Sequence, residues 1–426
     1  MGYMQRYNPS QQLASLETFA ASKRVYASLG ALKLTDLDAA VGYGQAAVFE
    51  ASALSALGRN DEVRRSEAEI RVLMSRVLER NPNYLGAWFA RGNMADLLAD
   101  VQSDDLQLQQ ALVNSARAVD DFETQTRLDP GNTNTRLNLV HRQLAKGYLL
   151  SLNGRHEQAA TDLQASMAAM PRVVQDDISM LMTQVGLATS LAVLQADMGQ
   201  DAASAATMAR AQSAQKAGVA DTDASSFQRV RFACWVESAE ASIALLQDRS
   251  AHAAGLLRRV LAELPKAKAR GAADQEIRSA CSKRLSAQLG KAALAEGDLA
   301  TAERALASAL DNDRLPAPPS LMESVQRAES VILLAIVQAR LGRPDDARRT
   351  LAPAMLLLRR QAGNDEARAL VGLTLASALY AQALAEPAQR DALLQEASAL
   401  LDSLPPQMRT LRSTTIWRER IAQGTQ

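Results

Sequence analysis

The sequence predicts an all-α fold, namely a right-handed solenoid of about eight antiparallel helix hairpins. Ala/Leu-rich helical patterns follow one another along the 426 residues, and a short glycine-containing turn separates many of them. A glycine between two amphipathic helices is typical of a helical hairpin. Aromatic residues make up only 4% of the chain, and Ala and Leu carry most of the 47% hydrophobic content, which disfavours strands. The turn glycines are Gly58, Gly154, Gly199, Gly297 and Gly342.

Three regions are expected along the chain. Residues 1–35 form an N-terminal helix or cap, residues 36–404 form the repeat array, and residues 405–426 form a C-terminal capping helix and tail. The opening helix is predicted over Gln11–Ala31, and the last short helix is predicted near Ser413–Ala422. The hairpins between them are predicted, in order, at Asp36–Leu57 with Asp61–Arg80, Tyr84–Asp100 with Ser103–Arg127, Asn134–Leu152 with His156–Met170, Val173–Met198 with Asp201–Lys216, Ser225–Gln247 with Ser250–Leu264, Ala273–Glu296 with Leu299–Asp311, Ser320–Leu341 with Pro344–Arg360, and Asp365–Ala385 with Pro387–Leu404.

Capping residues support these limits. Side-chain oxygens and acids at a helix start satisfy free amides and the helix dipole, and the sequence offers them at Asp61, Ser103, Asp201, Ser250 and Asp298. Pro344 and Pro387 suit a first helical turn. The same dipole, rather than acid–base catalysis, explains the acid pairs predicted near helix starts, which are Asp104–Asp105, Asp176–Asp177 and Asp345–Asp346.

Several hairpins resemble the tetratricopeptide repeat (TPR). In that family small residues lie where two helices touch, a large apolar residue follows, and a proline closes the unit. The matching sets are Gly147, Gly154, Ala159, Leu163, Ser166 and Pro171; Gly290, Gly297, Ala302, Leu306 and Ala309; Ala335, Gly342, Ala347, Leu351 and Ala354; Pro82, Trp88 and Gly92; and Asp129-Pro130-Gly131-Asn132. Turns are about 44 to 50 residues apart here, against about 34 in the family, so the chain resembles a divergent variant with longer helices.

The resemblance implies that partners bind in a concave groove lined by the first helix of each hairpin. Matched positions place ten candidate residues there: Phe89, Asn93, Asp96, His141, Tyr148, Ser151, Arg284, Lys291, Glu329 and Arg340. Apolar residues expected between them are Leu144, Ile332 and Ile336. Asn93 alone does not make the Lys/Asn set with which chaperone-binding members hold a terminal carboxylate, so we do not expect that mode of binding.

The predicted function is a non-enzymatic scaffold or adaptor that binds a protein or peptide in this groove. GxSxG, Walker-type and GxGxxG motifs are absent, and the three histidines show no HExxH or CxxC-type context. We therefore predict no catalytic residue, no metal and no cofactor. The alternative is a ligand-sensing regulatory domain of a larger bacterial signalling, transcription-regulator or transporter-associated protein.

Charge and hydropathy restrict the partners further. The 47 basic and 47 acidic residues balance, which disfavours nucleic acid as the ligand. The start MGYMQRYNPS lacks the apolar core of a secretory signal, and the longest tight apolar run, Val331–Val337, is too short to cross a bilayer. We expect no direct membrane insertion and a cytoplasmic location, with a periplasmic one if a signal or anchor once preceded the chain. Homo-oligomerisation stays open.

The two cysteines occupy similar places in neighbouring hairpins. Cys234 and Cys281 each precede their turn by about sixteen residues, so they are expected close together in space. Two buried thiols at a helix contact are the favoured interpretation. The alternative is a disulfide, which would imply an oxidising compartment. Core positions between or inside hairpins are predicted for Trp88, Trp235 and Trp417.

Overall fold

The structure is a computed structural model, and it describes residues 9–170, 178–220, 226–269, 271–311 and 319–424. These residues form helices, short 3-10 turns and connecting loops, with an isolated parallel bridge between Ser226 and Lys268. The helices are α1 (Pro9–Ser28), α2 (Leu37–Ala56), α3 (Asn60–Arg80), α4 (Leu85–Asp104), α5 (Leu108–Leu128), α6 (Thr133–Leu152), α7 (His156–Ala169), α8 (Ile178–Asp197), α9 (Asp201–Gly218), α10 (Phe227–Leu246), α11 (Ser250–Glu263), α12 (Ala272–Glu296), α13 (Leu299–Leu310), α14 (Leu321–Arg340), α15 (Pro344–Gln361), α16 (Arg368–Ala385), α17 (Arg390–Ser403), α18 (Pro406–Arg409) and α19 (Arg412–Gly424).

Consecutive helices pack against each other, which confirms the predicted all-α repeat of helix hairpins. The closest pairs include α2 with α3, α4 with α5, α8 with α9, α10 with α11, α12 with α13 and α16 with α17. Each of these pairs is joined by a turn of a few residues, so its two helices run in opposite directions.

All five predicted turn glycines adopt the left-handed conformation. Their φ values are 72° at Gly58, 74° at Gly154, 77° at Gly199, 79° at Gly297 and 74° at Gly342. Glycine enters this region at little cost because it has no Cβ. The amide of the residue after Gly58 donates to the Leu54 carbonyl at 2.9 Å, which closes α2 as expected for a helix that ends in this way.

Two turns reach the same conformation without glycine. Leu106 has φ 59° and Asp248 has φ 56°. Because the turn lies at Leu106, α4 continues to Asp104, so the predicted helix start at Ser103 is wrong. The Asp104–Asp105 pair likewise ends a helix instead of beginning one. The Leu106 side chain is fully buried, and this burial offsets the unfavourable backbone conformation.

The other predicted helix starts lie close to the observed ones. The Asp298 side chain caps α13 by accepting a hydrogen bond from the Thr301 amide at 3.1 Å. Pro344 is the first residue of α15. Pro387 instead opens a 3-10 turn, and α17 begins at Arg390. First-turn positions of α3, α9 and α11 are occupied by Asp61, Asp201 and Ser250.

Some sequence predictions lie outside the described residues. These are the closing proline Pro171, the helix starts at Val173 and Ser225, and the pair Asp176–Asp177. They stay predictions, as do the proposed limits at residues 35 and 404.

Contacts divide the chain into two compact units. Unit 1 comprises Met1–Leu149 and Arg314–Met322, and unit 2 comprises Leu150–Asp313 and Glu323–Gln426. Each has its own buried apolar core. Small residues let the helices approach closely, as the resemblance implied: a Cβ added at Gly290 would lie 2.4 Å from Cγ of Leu306.

The last helices of unit 2 pack against its first ones. Asp197 of α8 caps α19 by accepting hydrogen bonds from the Ser413 amide at 2.7 Å and the Ser413 hydroxyl at 2.9 Å. The Arg412 guanidinium forms two hydrogen bonds with the Asp201 carboxylate at 2.6 and 2.7 Å. These contacts join residues more than 200 positions apart, so the end of the chain stabilises the helices with which unit 2 begins.

Two of the described helical segments are long and apolar enough to cross a membrane by length and composition. They are Ile178–Asp197 and Asp365–Ala385, and 67% of each apolar window is buried inside the fold. Packing against neighbouring helices accounts for this composition, so the two segments are weak evidence for a membrane span.

Candidate functional site

In unit 1, Arg142, which is not among the predicted site residues, connects the predicted residues of α4 with α6. The Arg142 guanidinium lies 2.7 Å from the Asp96 carboxylate and donates a hydrogen bond to the Asn93 side-chain oxygen at 2.9 Å. Its central carbon lies 5.4 Å from the centre of the Phe122 ring. Phe89 meets the same ring edge-on, with ring centres 6.1 Å apart.

These contacts occupy the polar atoms that were expected to hold a partner. The Asn93 side-chain amide donates to the Phe89 carbonyl at 2.8 Å, and its oxygen accepts from Arg142. Burial raises the pKa of Asp96, while the positive charge of Arg142 acts in the opposite direction. Asn93, Asp96 and Arg142 therefore hold α4 against α6, and we do not include them in the proposed binding surface.

The remaining predicted residues of this region lie along α6. His141 and Tyr148 are both exposed and seven residues apart, so they share one side of the helix. Tyr148 keeps 49% of its surface exposed. Ser151 lies in the last turn of α6, where its carbonyl accepts the Gly154 amide at 2.9 Å. It belongs to unit 2 by the division of the chain.

In unit 2, the first helices of neighbouring hairpins carry polar side chains that contact one another across the helices in small groups. At their centre, the Gln288 side chain of α12 bridges two serines of α10. Its oxygen accepts from the Ser238 hydroxyl at 2.9 Å, and its nitrogen donates to the Ser242 hydroxyl at 2.7 Å and the Ser238 carbonyl at 3.2 Å. We call this set the polar strip: it consists of Trp235, Ser238, Ser242, Arg284, Gln288, Lys291 and Glu329.

The strip continues to α14 through an ion pair. The Lys291 ammonium lies 3.0 Å from the Glu329 carboxylate, and their side chains are 41% and 58% exposed. The positive charge of Lys291 lowers the pKa of Glu329. Exposed ion pairs contribute little to stability, so both groups can exchange partners when another molecule binds.

At the other end of the strip lies the cation Arg284. The Arg284 guanidinium has its central carbon 5.8 Å from the Trp235 ring centre and donates towards Cys234 Sγ at 3.2 Å. Partial desolvation lowers its pKa. Among the described residues no carboxylate forms an ion pair with Arg284, so its fork of N–H groups can donate hydrogen bonds to an oxyanion.

A disulfide lies directly beside this arginine. Cys234 of α10 and Cys281 of α12 are bonded, with their Cα atoms 6.1 Å apart. Both residues are buried, at 2% and 3% exposure, as the sequence analysis expected, but the favoured interpretation as two free thiols is wrong. The bond joins the two helices that carry the centre of the polar strip, and it therefore restricts their separation.

The predicted residues of α14 divide into exposed and buried ones. Arg340 is exposed at the end of the helix. Ile332 and Ile336 are each 1% exposed, so their assignment to a groove is wrong. Helical spacing alone does not reveal that this side of α14 is buried.

The predicted core tryptophans are covered to different degrees. Trp417 is 9% exposed and meets Tyr380 edge-on, with ring centres 6.0 Å apart. Trp235 packs partly buried beside the unit 2 core. Trp88 is partly buried beside the unit 1 core, and its indole N–H donates to the Pro82 carbonyl at 2.8 Å.

Within the described part of the chain, no three His, Cys, Asp or Glu side chains are grouped so that they could hold a metal ion. Burial lowers the pKa of His156, which favours its neutral form. His252 lies 3.4 Å from Glu240 at the surface. These arrangements offer stabilising contacts and no recognisable ligand set.

The comparisons with known structures return helical repeat proteins. A monomeric mutant of IFIT1 with Gppp-AAAA is 14% identical over 89% of this chain and 90% of that one, with a TM-score of 0.34. The P58(IPK) TPR domain is 12% identical over 86% of this chain and 97% of that one, with a TM-score of 0.21. No protein-family model and no curated protein matches the chain.

Three structural features agree with the tetratricopeptide pattern in the sequence: the glycine turns, the small residues at helix crossings and the paired helices. The chain is an all-α protein built of repeated helix hairpins. The first helices of its hairpins are long: α2, α4, α6, α8, α10 and α14 each have 20 residues, and α12 has 25.

Proposed function

We propose that this TPR-like protein is a non-enzymatic scaffold that binds a peptide segment of a partner protein on the polar strip of unit 2. The observation that carries the proposal is Arg284, an exposed cation that has an aromatic neighbour and no carboxylate partner among the described residues. An arginine without an acidic partner is a favourable binding point, because a carboxylate of the bound protein can supply the missing negative charge.

The rest of the strip suits an extended acidic segment. A carboxylate of the segment forms paired hydrogen bonds with Arg284, and a neighbouring apolar group packs on Trp235. Next along the strip, Gln288 is held in place by its hydrogen bonds to Ser238 and Ser242, so this part of the strip offers a fixed polar surface. At the far end of the segment, Lys291 attracts a negative side chain and Glu329 attracts a positive one, which contributes to specificity.

Site-specific crosslinking tests where partners bind. A photo-crosslinking residue replaces Lys291 in the native host, and a matched protein carries it at Arg360, which is exposed on the second helix α15. We expect a defined protein to be linked at position 291 and not at position 360. The linked protein is then purified, and its Kd is measured for the parent chain, Arg284→Glu and the control Arg360→Glu.

Charge reversal at Arg284 should weaken binding at least about tenfold, since hydrogen bonds to charged groups contribute about 1.5–3 kcal/mol. The control should leave the Kd unchanged. If Arg284→Glu and Arg360→Glu bind the partner with equal affinity, or if the linked molecule is RNA and not protein, the polar strip is not the proposed peptide-binding surface.

We also propose that the chain matures in an oxidising compartment, against the cytoplasmic location expected from its start. The support is the Cys234–Cys281 bond, since disulfides persist outside the reducing cytosol. Cells are lysed in the presence of an alkylating reagent, and the intact mass of the chain is measured. The proposal requires that neither cysteine is alkylated without reductant and that both are alkylated after reduction.

A further inference from the structure

Unit 1 contains a pocket of about 520 Å³ between α3, α4 and α5. It lies on a different side of α4 from Asn93 and Asp96, because Trp88 and Arg91 project from that helix at other angles. Its volume falls in the range of about 300–1,000 Å³ that is typical of small-ligand sites. Three arginines, one from each helix, contribute to the lining together with the Trp88 indole: Arg71, Arg91 and Arg117.

Arg91 is already neutralised within the fold. Its guanidinium forms two hydrogen bonds with the Asp121 carboxylate, at 2.9 and 2.6 Å, and a longer one with the Ser75 hydroxyl at 3.4 Å. Its central carbon lies 4.6 Å from the Trp88 ring centre. Arg91 and Trp88 thus form a fixed wall, because every nitrogen of the guanidinium is in use.

The other two arginines share one buried acid. The Glu67 carboxylate, with 7% side-chain exposure, lies 3.3 Å from Arg71 and 3.4 Å from Arg117. Both distances are long for a charge-assisted hydrogen bond. The two arginine side chains are 45% and 40% exposed, so their unused N–H donors reach the space of the pocket.

Three guanidinium groups are matched in number by three carboxylates around the pocket, but the pairing is uneven. Arg91 takes up Asp121, whereas Arg71 and Arg117 share one oxygen of Glu67, which lies outside the pocket lining. The third acid, Asp120, lines the pocket, is exposed and forms no ion pair among the described residues. An anion between Arg71 and Arg117 would complete the pairing that Glu67 provides only in part.

We propose that this pocket binds a short acidic peptide segment, with its carboxylates on Arg71 and Arg117. A small inorganic anion would leave most of the volume to solvent, since one water molecule takes about 30 Å³. A peptide also uses the remaining lining: the hydroxyls of Ser75 and Thr124 meet backbone groups, and the indole of Trp88 offers apolar contact. This site is separate from the polar strip, because all its lining residues belong to unit 1.

Binding of a capped tetraglutamate peptide to the full chain, measured by calorimetry, tests the proposal. A capped tetraglutamine peptide, inorganic phosphate and a single-stranded RNA oligonucleotide are the comparison probes. Arg71→Gln and Arg117→Gln should each weaken tetraglutamate binding at least about tenfold, because each removes charged hydrogen bonds. Arg76→Gln, an exposed arginine on the same helix, should leave the Kd unchanged.

Two further variants are expected to raise the affinity for tetraglutamate, an effect that loss of folding cannot produce. Glu67→Gln keeps the side-chain shape but frees Arg71 and Arg117, and Asp120→Asn removes a repulsive charge at the rim. Both should tighten tetraglutamate binding. Equal binding of tetraglutamine, tighter binding of phosphate or RNA, or weaker binding in both of these variants would overturn the proposal. Arg284→Glu should leave this Kd unchanged, so failure here is distinguishable from failure of the polar strip.

Discussion

Reduction of the Cys234–Cys281 bond should destabilise the middle of unit 2 without changing a single residue. The two cysteines are 47 positions apart. In the chain-entropy description, a closed loop of that length removes about 14 cal/mol/K from the unfolded chain, or about 4 kcal/mol at 25 °C. Reduction restores that entropy to the unfolded state, and the folded state loses a direct link between α10 and α12.

Hydrogen exchange is the assay that locates this loss. Amides of α10, α11 and α12 should exchange through an opening that is about 2–4 kcal/mol easier after reduction, which corresponds to at least about a thirtyfold increase in exchange rate. Amides of α2 to α5 belong to unit 1 and should keep their rates. The double variant Cys234→Ala/Cys281→Ala serves as the control, because reductant should not affect it.

The reasoning fails if reduction changes the free energy of exchange in α10–α12 by less than about 1 kcal/mol, since disulfides typically contribute about 2–4 kcal/mol. It also fails if the exchange rates in α2–α5 rise as strongly, since the disulfide lies in α10 and α12 and not in these helices.

The remaining predictions concern turns and charge. Asp248 is exposed at φ 56°, so Asp248→Gly should stabilise unit 2 by about 0.5–1 kcal/mol in thermal unfolding, and Gly199→Asp, at φ 77° with open space around it, should have the opposite effect. Leu106→Gly relieves the same backbone cost but loses a fully buried side chain, so a net loss of about 2–4 kcal/mol is expected in denaturant titration. Hydrogen bonds, first from Arg412, lower the pKa of Asp201 to about 2, so its stabilising effect is complete above the unfolded pKa of about 4 and disappears as pH falls towards about 2. Melting curves of the parent chain and Arg412→Ala should differ at pH 6 and converge near pH 2.

The hairpin repeat could be predicted from sequence because local features determine it. Gly58 and Gly342 identify their turns, since no other residue enters the left-handed region as easily. The turn at Leu106 gives no such signal. Its conformation is stabilised by burial against residues distant in sequence, and the serine three positions earlier was therefore mistaken for a helix cap.

The candidate site was predicted less well, because it depends on contacts between hairpins. Arg284 and Lys291 were found by matching positions on first helices. Gln288 lies one turn from each of them and could have been found by the same spacing, but its importance depends on Ser238, 50 residues away. Arg142 is similar, since only the packing of α6 on α4 brings it to Asp96. Helical periodicity indicates which residues share a side of a helix, and it does not indicate which side the next hairpin covers.

The disulfide provides a way to separate the two proposed binding surfaces. It holds α10 against α12, and this spacing lets Gln288 reach Ser238 and Ser242 and places Arg284 beside Trp235. Binding on the polar strip should therefore weaken after reduction, because a preformed surface must then be ordered at a cost in entropy. The pocket of α3, α4 and α5 contains no cysteine, so tetraglutamate should bind it with the same Kd in both redox states. If reductant weakens both interactions equally, its effect is not specific to the polar strip; if it weakens neither, the bond does not organise the strip. Calorimetry on the same sample before and after reduction distinguishes these results, with the Cys234→Ala/Cys281→Ala variant as the control for the reductant itself.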